Sequence, residues 1–215
     1  MAARENILGR IRSRQGRPGP ATADEHGAIV SYVAAHPHSP RPRSDWDPEA
    51  RFRERALGLG STVDEVDSPA AAPAAVARYL ASHSLPARAV CWAELAALDW
   101  LAAGVEVMAR PAADADLVGV TGAYCAIAET GTLMMLSGTA AFATVSLLPE
   151  THIAVLSRSR IVRGMEEAWA LVRRERGGLP RAASFISGPS RTADIEQTVT
   201  LGAHGPYRVH IVMVP

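Results

Sequence analysis

From Glu49 onward, short apolar runs alternate with helix-patterned segments of about ten residues, and this alternation leaves few folds open to the chain. Residues 49–59 read as a helix stopped by Gly60, 61–66 as a strand, and 70–82 as an alanine-rich helix that turns Val76, Tyr79 and Leu80 inward. A strand at 87–91, a helix at 94–103 closed by Gly104, and a strand at 105–108 follow. Further strands fall at 117–121, 131–136, 153–156, 184–187 and 208–214, with a helix over 164–176. Strands spaced by such helices demand βαβ crossovers, so the expected fold class is α/β with a mainly parallel sheet covered on both faces. The unbroken apolar run Leu133, Met134, Met135 and Leu136 suits a central strand buried on both sides.

The N-terminal part obeys a different pattern. Ile7, Leu8 and Ile11 lie at helical spacing within 3–15, giving a short amphipathic helix whose narrow stripe must pack on something else to be stable. Residues 16–48 hold Pro18, Pro20, Pro37, Pro40, Pro42 and Pro48, which break helix and strand alike, and read as an extended connector. The expected organisation is thus an N-terminal helix and Pro-rich connector over 1–48 and an α/β domain over 49–215. The first 60 residues carry 10 arginines against 7 acidic groups, so a mild positive surplus sits on the appendage.

The whole chain balances 22 basic against 22 acidic residues, with a pI near 7.1. Nucleic acids and anionic membranes need a clustered positive excess, so neither is an expected partner. Every basic residue is arginine, which excludes Schiff-base lysines and a P-loop lysine. Cys91 and Cys125 are too few for a disulfide framework, a four-thiolate zinc site or an iron–sulfur cluster held by this chain alone. Two free thiols suit a reducing compartment, and neither a signal-peptide core nor a membrane-length apolar run is present, so a cytoplasmic location is expected. His36-Pro37-His38 is half of a metal site without a third ligand nearby, so no metal is expected. Gly58-Leu-Gly60 precedes a strand, whereas a dinucleotide fingerprint follows one and opens a helix.

Three polar turns in the C-terminal half are the candidate chemistry, because parallel α/β sheets bind ligands at the carboxyl ends of their strands. The first combines Thr121 and Gly122 with Glu129, Thr130, Gly131 and Thr132, where Gly131 would let a substrate approach and Glu129 could act as nucleophile, base or anchor. Pairing of Glu129 with an arginine would be its structural alternative. The second, Ser187, Gly188, Ser190, Arg191, Thr192 and Asp194, offers amides, hydroxyls and a guanidinium to a carboxylate or phosphate; alternatively Ser190 or Thr192 caps a helix and Arg191 bridges to an acid. The third places His204 between Gly202 and Gly205, where it could move a proton near neutrality or serve as a hydrogen-bonded structural residue, as could His152.

Taken together, Gly119-Val-Thr-Gly122, Ile127-Ala-Glu-Thr-Gly-Thr-Leu133, Ser146-Leu-Leu-Pro149, His152-Ile153, the stretch from Phe185 to Gln197 and His204-Gly-Pro206 resemble the LUD-domain family in its lactate-utilization branch. The opening Arg4-Glu-Asn-Ile-Leu-Gly-Arg-Ile-Arg12 also matches the family's start. The resemblance implies a three-layer α/β/α fold similar to the NagB/RpiA/CoA transferase-like group. It also implies a role in oxidising L-lactate to pyruvate beside partner proteins that carry iron–sulfur clusters. With no cofactor expected in this chain, the leading reading is a non-redox subunit that binds a small carboxylate of the lactate or pyruvate class. Glu129 and His204 are its expected catalytic residues, and the remaining turn residues its ligand contacts. A stand-alone CoA transferase-like or sugar-phosphate isomerase-like enzyme using Glu129, and a structural or regulatory subunit, are the alternatives.

Overall fold

The computed structural model describes residues 2–16, 19–193 and 199–215. The chain forms two units, Met1–Arg43 and Ser44–Pro215.

In the first unit, α1 (Ala2–Arg14) leaves Ile7 and Ile11 exposed. The connector expected to be extended contains a second helix, α2 (Ala23–Ala35). Its prolines lie on either side of 21–36, so nothing interrupts the helix. Thr22 caps it, its hydroxyl accepting from the Glu25 N–H while Glu25 accepts from the Thr22 N–H. His36 closes it in the left-handed region at φ 45°.

The second unit opens with α3 (Pro48–Gly58), capped by Asp47, whose carboxylate accepts from the Ala50 N–H at 2.8 Å. The strands that follow are β1 (Thr62–Glu65), β2 (Arg88–Cys91), β3 (Glu106–Met108), β4 (Val118–Gly122), β5 (Cys125–Ile127) and β6 (Thr132–Leu136). Then come β7 (Thr151–Ser157), β8 (Ile161–Val162), β9 (Ala183–Ile186), β10 (Arg191–Thr192), β11 (Thr200–Leu201) and β12 (Arg208–Val214). The helices between them are α4 (Ala72–Ser82), α5 (Thr144–Leu147) and α6 (Met165–Arg176). Six strands form the central sheet in the order β1-β12-β7-β4-β2-β3, every pair parallel.

One face of this sheet, with Cys91, Val118, Val120, Ile153, Val212 and others, packs on Val76, Tyr79 and Leu80 of α4. The α/β class with a mainly parallel central sheet flanked by helices is therefore as the sequence predicts. Between the other face and α6, however, lies a second sheet, ordered β8-β5-β6-β9. Ala126, Leu133 and Met135 face the central sheet together with Phe52 and Ala56 of α3. Cys125, Ile127, Met134 and Leu136 face Ala168, Leu171 and Val172 of α6. The 133–136 run is buried on both sides as expected, but as a member of this second sheet, antiparallel to β5 and β9.

The helix expected over 94–103 is reduced to a single 3₁₀ turn, Ala93–Leu95. The buried Trp100 indole donates to the Leu95 carbonyl at 2.7 Å, and the Asp99 carboxylate accepts from the Ala102 N–H. These local bonds compete with the helical ladder.

Candidate functional site

The turns singled out by sequence gather at the C-terminal end of α3, near the amino ends of β1 and β12. Gly131 sits at φ 70°, its N–H donating to the Ile127 carbonyl at 2.9 Å, and a Cβ there would lie 2.7 Å from the backbone of Arg55 and Ala56. Gly188, at φ 84°, would put a Cβ 2.7 Å from the Leu59 carbonyl oxygen. Both glycines permit close approach, but it is α3 that approaches, where the sequence suggests a substrate at Gly131.

Hydroxyls connect the two turns: Thr130 Oγ1 donates to Thr132 Oγ1 at 2.7 Å, which hydrogen-bonds Ser187 Oγ at 2.7 Å. Arg191 donates from Nη2 to the Leu59 carbonyl at 2.6 Å, satisfying the carbonyl end of α3, where the helix dipole favours a cation. Among the described residues no acidic side chain pairs with it, and Asp194 lies outside them. The third turn docks on the second, Ser190 N–H donating to the Pro206 carbonyl and Gly202 N–H to the Ser190 carbonyl, both at 2.9 Å. His204 is exposed on that turn, Gly205 approaches Ser190, and Thr192 pairs with Thr200. Glu129 is half-buried, with no ion pair among the described residues. It lines a cavity of about 420 Å³ with Thr130, Glu54, Arg55, Gly58 and Leu59.

Two expected ligand contacts do not join this group. Thr121 is fully buried in β4, its Oγ1 2.8 Å from Nε2 of the equally buried His152. It is a core partner rather than a ligand contact, and burial pushes His152 down to about 4, so it is neutral at physiological pH. Gly122 ends β4 at the opposite, carboxyl edge, four residues beyond Val118, or roughly 13 Å along the strand. Nothing in the sequence singles out Arg55 or the end of α3. Arg51 and Arg55, at i and i+4, look like any solvated helix face, and only the packing of the turn onto α3 distinguishes them.

Nucleophilic thiol chemistry is disfavoured. Cys91 and Cys125 are both buried, and desolvation raises the first and pushes the second up to about 11. Both should resist an aromatic disulfide reagent at pH 8 in the folded protein and react after denaturation; rapid native reaction would contradict this packing. No described helix is long and apolar enough to cross a membrane.

The architecture is that of an α/β protein with a mainly parallel central sheet and a cavity between α3 and the β5–β6 turn. A family model for the LUD domain matches residues 50–214, and the chain belongs to that family. Lactate utilization protein C of Geobacillus sp. (strain WCH70) is 41% identical over 100 residues, which are 45% of this chain and 42% of that protein. Lactate utilization protein C of Exiguobacterium sp. is 37% identical over 143 residues, 64% of this chain and 61% of that one. The matches thus span less than two thirds of these relatives' own length. Among solved structures, a DUF162 family protein from Deinococcus radiodurans matches 81% of this chain and all of its own, with a TM-score of 0.60 and 29% identity.

Proposed function

We propose that this chain is a non-redox subunit of a lactate-utilization system and binds a small carboxylate of the lactate or pyruvate class between α3 and the 129–132 turn. The names of the curated relatives support the system. The cavity supports the ligand, because one concave surface brings together Arg55, the Glu129 carboxylate and Thr130. Arg55 would take the ligand carboxylate, and Glu129 would accept a hydrogen bond from the 2-hydroxyl and stand ready as its base. Arg191 and the Thr130, Thr132 and Ser187 hydroxyls would hold the rim in place. Oxidation of lactate releases two electrons, and the two cysteines of this chain are buried in separate core clusters rather than gathered to hold an iron–sulfur cluster. The expected acceptors are iron–sulfur proteins acting beside it.

Calorimetric titration of the purified chain with lactate and pyruvate tests the reading. A charge-assisted contact contributes roughly 1.5–3 kcal/mol, so Arg55→Ala should weaken binding about ten- to a hundredfold. Glu129→Gln should weaken lactate more than pyruvate, which lacks the hydroxyl proton. Wild-type affinity in both variants would overturn the site. CoA transfer by the chain alone, lost in Glu129→Gln, would instead favour a stand-alone transferase.

A further inference from the structure

Gly122 takes no part in the site beside α3 and ends β4 at the opposite, carboxyl edge of the sheet. After β2 the chain moves to β3 on one side, whereas after β4 it reaches β7 on the other, by way of the second sheet. The connections therefore diverge between the carboxyl ends of β2 and β4, the position at which open α/β sheets leave a ligand crevice. A cavity of about 400 Å³ lies there, within the range of small-molecule sites. Trp92 and Glu94 line it from the end of β2, Ala123 and Tyr124 from the end of β4, and Arg160, Glu175 and Arg176 close it.

Part of the lining is already satisfied. Arg160 donates twice to Glu175, at 2.7 and 2.9 Å, and its Nε donates to the Tyr124 carbonyl at 2.8 Å. The Tyr124 hydroxyl donates to Glu175 at 2.8 Å, and the Arg160 guanidinium, foremost, holds the Glu175 carboxyl down to about 2. Two charges are left over. Arg176 stands 5.7 Å from the Tyr124 ring centre, and Glu94 lies against the backbone of Gly122, where any Cβ would overlap its carboxylate. Among the described residues neither has a partner of opposite charge.

We propose that this crevice binds a small zwitterion, a free amino acid, with its carboxylate on Arg176 and its ammonium on Glu94. A simple anion would answer Arg176 and be repelled by Glu94, and a simple cation would meet the converse. A ligand carrying both charges satisfies both and leaves the cavity neutral. Gly122 is the position that makes room for the Glu94 carboxylate at the strand end. The site shares no lining residue with the one proposed for lactate, and an amino acid differs from its 2-hydroxy analogue in the group that Glu94 would read.

The test is calorimetry on the full chain with each standard amino acid, then with the 2-hydroxy analogue of any that binds. At least one amino acid should bind below about 10 mM, and its hydroxy analogue roughly tenfold or more weaker. Glu94→Gln and Arg176→Met, both at exposed positions, should each weaken it about ten- to a hundredfold without lowering the melting temperature, whereas Glu129→Gln should leave it unchanged. No binding by any amino acid, equal binding of the hydroxy analogue, or wild-type affinity in both crevice variants would overturn the proposal.

Discussion

Replacing Gly119 by alanine is expected to remove a large part of the stability of the α/β unit. Gly119 is buried in β4, level with Val90 of β2 and His152 of β7. A Cβ there would overlap the carbonyl oxygen of Val145, in α5, and stand 3.1 Å from Pro149 Cγ. The obstacle is backbone, so no rotamer change relieves it; α5 or the strand itself must move. Overpacking a well-filled core usually costs about 1–3 kcal/mol, and here at least ~3 kcal/mol is expected. That is a substantial share of the roughly 5–15 kcal/mol that holds a typical domain folded. Urea unfolding followed by circular dichroism measures it. Gly138→Ala is the matched control, because its Cβ would meet only the Ala141 methyl, at 3.6 Å. A loss below about 1 kcal/mol in Gly119→Ala would show that α5 does not rest on the bare strand.

The second large effect is acid destabilisation centred on two buried histidines. His152 hydrogen-bonds Thr121 through Nε2, and its Nδ1 has no partner among the described residues. His210 hydrogen-bonds Thr62 through Nδ1 at 2.8 Å and stacks on Tyr79 at 4.0 Å, leaving Nε2 without a partner among the described residues. Burial pushes both down to about 4; for His210 the neighbouring Asp64 charge opposes that shift, and His83 and Arg78 add to it. Unfolded, both would titrate near 6.5. Between those values the unfolded chain takes up protons that the folded chain refuses, so the stabilising contribution is complete above about pH 6.5 and is lost as the pH falls toward 4. Each histidine accounts for roughly 3 kcal/mol across that window. At pH 5 about 2 kcal/mol per histidine should already be lost, and urea unfolding at pH 7.5 and 5 measures the difference. A folded-state imidazole titration near 6.5 for either ring, or equal stability at the two pH values, would refute the assignment.

Most of the periodic part of the fold was readable in the sequence, the helical pattern over 94–103 being the exception. Val76, Tyr79 and Leu80 point inward from α4, and the runs at 117–121, 153–156 and 208–214 fall on β4, β7 and β12. The turns carrying Glu129, Arg191 and His204 could also be recognised, since glycine beside hydroxyls and charges is visible locally. Their meeting place was not. Whether the left-handed glycine of the 129–132 turn faces a ligand or a helix depends on what packs there, and α3 is more than 70 residues away in sequence. Thr121 shows the same limit: it reads as a polar residue at a strand end, yet its hydroxyl is spent on a histidine buried beside it in the sheet.

Composition and periodicity alone determined an α/β chain with a mainly parallel sheet, two thiols and no lysine, because alternating apolar patterns and residue counts are local properties. Tertiary structure alone decided that the 133–136 strand belongs to a second sheet, that α3 closes the 129–132 and 188–191 turns, and that Glu94 meets Gly122 at the opposite edge. An apolar run buried on both faces looks the same in either sheet, and the approach of distant backbones is set by packing between elements that carry no mark of one another in the sequence.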